Sequence, residues 1–181
     1  MLLYLTILGF IITFLVLINL KTSNKSNLYL FFFLLINNIY SLSHYAAIDS
    51  GNKYFTAIML VHFTPFYLLL GPFFYFYVRG LVYDDASLSK KDIIHFIPAI
   101  LVLINISPYL FFSVDQKLIY ATEVIKNPTN IFNYKFCQLI TLMRNFTIIP
   151  RLFNYIIYFF ISQFIVLFKI FRSKSFRMNY F

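Results

Sequence analysis

The sequence predicts an all-α protein: a polytopic membrane helix bundle of five transmembrane helices, with one further helix lying on the membrane surface. Three observations predict it. Hydrophobic residues make up 61% of the chain and charged residues 12%, against about 45–50% and about 25% in soluble domains. The apolar residues gather into stretches of roughly 20, the length that crosses a bilayer as a helix. Most connections between the stretches are short and polar. A helix satisfies its own backbone groups in lipid, so each stretch reads as a helix rather than a strand.

The first span is expected at residues 2–20. It is too long and continuous for a secretory leader, lacks a basic start and shows no small-residue cleavage site, so it reads as a retained span. The second is expected at 28–48, and a turn of sequence DSGNKY separates it from the third, at 55–78. The third contains Pro65, Gly71 and Pro72. A proline inside a helix removes a backbone hydrogen bond and crowds the preceding turn, so this helix is expected to be bent. Pro65 and Pro72 are seven residues apart and fall on nearly one face, with His62 close to it. Gly71 would let a neighbouring helix approach, and Arg79 would mark the membrane boundary and reach lipid headgroups.

The fourth span is expected at 93–112, introduced by a cap in which Ser89 accepts from the helix start and Asp92 favours its positive end. Residues 113–151 read as a long loop. Its apolar later part, 131–149, is interrupted by Lys135 and Arg144 and is expected to lie in the interface rather than cross. The fifth span is expected at 152–171. The chain reads as one membrane domain over 1–181, the N-terminal portion of a longer protein.

Charge orients the set. Lys21 and Lys25, Arg79, Lys90 and Lys91, and the basic tail from Lys169 to Arg177 fall on one side if the N-terminus is outside. Short-loop lysines and arginines favour the cytoplasm, so the N-terminus is placed out and the C-terminus in. The net charge of +9 is therefore topological and points to anionic lipid, not nucleic acid. The single cysteine, Cys137, excludes an intrachain disulfide.

No enzyme signature is present. Asp84 and Asp85 are adjacent loop carboxylates without a positioned partner, and there is no HExxH, no Walker loop and no serine elbow. No cofactor and no metal are expected. A His44–His62–His95 metal site is disfavoured because His95 belongs to the opposite membrane side. Polar residues inside spans are the remaining candidates. Asn37, Ser41 and His44 share one face of the second span, and His62 of the third is placed to meet them. This seam reads either as a small-ligand or proton-sensing site or as interhelical hydrogen bonding that holds the bundle together. His95 reads as structural or interfacial.

One stretch carries a resemblance. LLLGPFFYFYVRGLVYDDASLSKKDIIHFIPAILVLI, residues 68–104, resembles the membrane region of Bacteroidetes-type AraC-family transcriptional regulators. The matching residues are Gly71, Pro72, Tyr75, Tyr77, Lys90, Lys91, His95, Phe96, Ile97 and Pro98. The rest of the chain is similar only in layout. The resemblance implies a bacterial cytoplasmic-membrane protein that senses or anchors, allows a homodimer, and reaches DNA through a helix-turn-helix domain absent from this sequence. Similar membrane regions also precede histidine-kinase modules. A stand-alone small carrier or accessory protein is the alternative from a different class.

Overall fold

The computed structural model describes residues 1–21, 25–84, 87–127, 156–158, 160–166 and 169. All regular structure among them is helical. The helices are α1 (Leu2–Ile18), α2 (Asn27–Ile48), α3 (Lys53–His62), α4 (Thr64–Tyr67), α5 (Leu70–Tyr83), α6 (Ile97–Leu110) and α7 (Val114–Lys126). Short 3-10 turns follow α1 at Asn19–Lys21 and precede α6 at Lys90–Phe96. A last apolar helix, α8, covers Ile156–Val166.

Three helical stretches are long and apolar enough to cross a membrane: Asn27–Ile48, Thr64–Tyr83 and Lys90–Leu110. Helices α1 and α8 are apolar but shorter. The expected interfacial helix at 131–149 lies outside the described residues.

The packing of α1 is inverted relative to a soluble helix. Its buried residues are Thr6 and Thr13, while Leu5, Ile7, Leu8, Ile11, Phe14 and Leu15 face outward. Water would drive the apolar side chains inward, whereas lipid leaves them outside and gathers the polar groups between helices. Thr6 Oγ1 lies 2.7 Å from Ser41 Oγ, and Asn38 Nδ2 donates to Thr13 Oγ1 at 2.8 Å. Gly9 makes room for this. A Cβ built there would stand 2.0 Å from Asn38 Oδ1, so the absence of a side chain lets α2 bring its amide against α1.

The expected single bent third span is instead three segments. Helix α3 ends at His62, α4 spans one turn, and α5 starts at Leu70. Each proline lies in a first turn: Pro65 opens α4, and Pro72 is the third residue of α5. First-turn amides have no intrahelical acceptor, so proline costs little there. The α-helical bonding is therefore interrupted before each proline, while Phe63, Leu68 and Leu69 at the joints keep right-handed helical dihedrals. Helix α3 packs against α2 and α7, α4 against α6, and α5 against α2.

Residues 114–126 were expected within a loop and form α7. A capping box joins Ser113 and Gln116 at its start, and Tyr120, Ala121 and Val124 are buried. Tyr120 and Val124 complete a core with Ala47 of α2, Val61 of α3 and Val102, Ile106 and Tyr109 of α6.

Candidate functional site

The residues of the α5–α6 hairpin build the most elaborate polar cluster among the described residues. Helix α5 presents Tyr75 and Phe76 and, one turn further on, Arg79. The chain then reverses, and Ser89 and Asp92 form a capping box at the start of the 3-10 turn. The Ser89 backbone N–H donates to Asp92 Oδ2 at 2.7 Å. Arg79 Nη1 donates to Asp92 Oδ1 at 2.8 Å, and Arg79 Nη2 donates to the Ser87 carbonyl at 2.6 Å. The guanidinium also lies over the rings of Tyr75 and Phe76, 5.6 and 5.1 Å from their centroids. Arg79 therefore ties the end of α5 to the cap of the next helix. A planar fork with a carboxylate in range forms a strong, directional contact, which the sequence alone did not predict.

One turn deeper, His95 stands against Tyr75, Phe76 and Tyr158, with ring centroids 5.4–5.6 Å apart. His95 Nδ1 and the Tyr158 hydroxyl are 2.5 Å apart. Tyr158 belongs to α8, 63 residues further along the chain, and Lys169 Nζ donates to the Val82 carbonyl of α5. Two contacts thus seat the C-terminal apolar helix on the hairpin. Of the other motif residues, Gly71 and Pro72 are buried in the first turn of α5. Tyr77 and Phe96 are half-buried, with Phe96 stacked on Phe76. Lys90, Lys91, Ile97 and Pro98 are exposed.

The four residues of the expected α2–α3 seam do not meet. Ser41 is engaged by Thr6 of α1. His44 is exposed and sets its ring edge-on to Tyr40, 4.6 Å away. His62 Nδ1 lies 3.0 Å from the Ile58 carbonyl, and its ring contacts Tyr109 of α6. Asn37 is exposed, while its neighbour Asn38 is the buried amide. A polar α2 side chain that does meet the third stretch is Ser43. Its hydroxyl is 2.5 Å from the Tyr67 hydroxyl and donates to the Met59 carbonyl at 3.1 Å. A helical wheel cannot separate Asn37 from Asn38 without knowing where α1 docks. Gly9 was the available signal, since a glycine in an apolar helix marks a close approach.

Comparison of the chain with protein-family models, curated proteins and solved structures finds no match.

Proposed function

We propose that the chain is a membrane-embedded sensory or anchoring domain of an AraC-like transcriptional regulator, with five spans, the N-terminus outside and the C-terminus inside. The observation that carries the reading is the hairpin. The residues that resemble the regulator family, Tyr75 and His95 above all, lie in the cluster against which Tyr158 of α8 docks. A stimulus that favours one arrangement of the bundle shifts its population. The hairpin passes the shift to α8, and α8 passes it to a cytoplasmic output module. The domain performs no catalysis in this reading.

The test is to sequence the gene beyond the codon for Phe181, over about 600 nucleotides by domain-size arithmetic. The expected result is an open frame encoding further spans and a helix-turn-helix domain. A kinase module in that frame would keep the sensory role and replace the regulator. A stop codon would remove the DNA-binding claim. A carrier is the second reading, favoured by the breaks before Pro65 and Pro72, since discontinuous helices line many transport sites. Uptake of labelled solutes into proteoliposomes, absent from empty vesicles, would establish that reading in place of the first.

A further inference from the structure

Tyr109, buried near the end of α6, is a junction for three helices. Its hydroxyl donates to the Ala57 carbonyl of α3 at 3.4 Å. Its ring packs edge-on with His62 of α3 and Tyr120 of α7, at 5.6 and 6.0 Å between centroids. Lys117 of α7 brings its ammonium to 5.6 Å from the centre of the same ring and donates to the Leu110 carbonyl at 3.0 Å. Helix α7 thus covers α3 and α6, with Tyr120, Ala121 and Val124 buried on its inner side and Asp115 and Lys126 exposed on its outer side. His62 is half-buried at the last position of α3, outside the three stretches long enough to cross the membrane. Its Nδ1 lies 3.0 Å from the Ile58 carbonyl. A carbonyl only accepts, so Nδ1 carries the hydrogen and Nε2 keeps the lone pair that takes a second proton. Lys117 is the charge that acts on this ring. The other charges of α7 are Asp115, Glu123 and Lys126, and Lys53 stands nine residues back on α3. On the remaining neighbours, His44 and Tyr45 of α2 pack on Tyr40 and Phe55, Asp49 lies at the α2 C-cap, and Tyr67 of α4 is engaged by Ser43.

We propose that His62 is a proton-binding site that controls the seating of α7: a proton on Nε2 sets a second cation against the Tyr109 ring beside Lys117, and α7 lifts. An aromatic ring attracts one cation, so Lys117 is well placed while His62 is neutral. A second positive charge repels the first across a poorly hydrated gap. Lys117 leaves with α7, the helix that carries it, and the repulsion is relieved. The carbonyls at the end of α3 favour a cation at His62, so the ring accepts its proton in mild acid instead of staying neutral under a closed cover. Acid therefore favours the lifted arrangement below about pH 6.5, the ordinary imidazole value. As a stimulus the proton rests on the sensory reading above, to which it supplies a ligand at the outer side; the movement of α7 does not.

The experiment follows maleimide labelling of the full chain in detergent micelles, in a Cys137→Ser background. Ala121→Cys places the thiol under α7, where Ala121 is fully buried, and Ile119→Cys places it on the exposed side of the same helix. Thiol reactivity itself changes with pH, so the rate at 121 is divided by the rate at 119. From about pH 7.5 to about pH 5.5 the ratio is expected to rise about threefold to fivefold, the linkage for one group whose proton affinity differs by one pKa unit between the two arrangements. His62→Gln is expected to hold the ratio low at both pH values, and His62→Arg, a permanent cation, to hold it high at both. His44→Gln is expected to keep the rise. Circular dichroism checks that each variant keeps its helix. Lys117→Gln is the second route should His62→Gln lose it: removing the repelling partner is expected to cut the rise by half or more. A ratio that stays flat with pH overturns the proposal, as does a rise that survives both His62→Gln and Lys117→Gln. The labelling is read without any output module, so failure of the regulator reading leaves its result standing.

Discussion

The two ends of the bundle are closed by different physics. At one end, Arg79, Asp92, Ser89, His95 and Tyr158 join α5, the start of the fourth stretch and α8 through charged and polar contacts of fixed direction. At the other, Ala47, Val61, Ile106, Tyr109, Tyr120 and Val124 close the space between α2, α3, α6 and α7 by volume. Directional contacts fail when one partner is deleted, because the other is left buried and unmatched. Packed volume fails when it is overfilled or emptied. The hairpin end is thus the place where a small chemical change has a large structural effect.

Breaking the ion pair gives the largest expected effect. The Arg79 and Asp92 side chains are 17% and 9% exposed. Arg79→Ala leaves the Asp92 carboxylate without its cation and is expected to destabilise the fold by about 3–5 kcal/mol, read by SDS titration in mixed micelles. A loss under ~1 kcal/mol would show that the pair behaves as a surface bridge and would erase the contrast between the ends. The far end answers with an intermediate effect. Ala121 is fully buried in α7, so Ala121→Leu overpacks a closed core and is expected to cost about 1–3 kcal/mol by the same titration. An unchanged midpoint would mean that α7 can lift away. The smallest effect belongs to Tyr158→Phe, which keeps the ring and removes the hydroxyl next to His95. About 0.5–1.5 kcal/mol is expected. Under the proposed regulator reading, a reporter assay of the full-length protein is expected to show Tyr158→Phe shifting the response more than Ala121→Leu does, since it touches the joint that would carry the signal.

The two ends are unequally legible in the sequence. Helix α2 was expected at 28–48 and is found at Asn27–Ile48, because a long apolar run between polar turns has few alternatives in lipid. The Ser89–Asp92 cap was legible from local spacing, since both partners lie within one turn. The Arg79–Asp92 pair was not, because its geometry depends on how the intervening turn folds back. His95 and Tyr158 lie 63 residues apart, and no local pattern joins them. The break at Phe63 was hidden by hydropathy, which stays high across 55–78 whether the helix continues or stops. Helix α7 was missed although SVDQ has the spacing of a capping box. Its charged residues Asp115, Lys117, Glu123 and Lys126 were counted as loop, although Tyr120, Ala121 and Val124 among them bury one side of a helix.

The segmentation before Pro65 and Pro72 has a mechanical consequence. A continuous helix transmits twist and thrust along its axis, whereas a jointed one dissipates both at each joint. Segments α3, α4 and α5 together run from the end near Ala47 to the end near Asp92, but as links in a chain rather than as a shaft. Helix α2 is the uninterrupted member beside them: Ala46 accepts from Thr56 of α3 near one end, and Tyr29 packs on Phe76 of α5 near the other. A turn of α2 about its own axis would be felt at both ends at once, which makes α2 the drive shaft of this bundle and the jointed stretch its universal coupling.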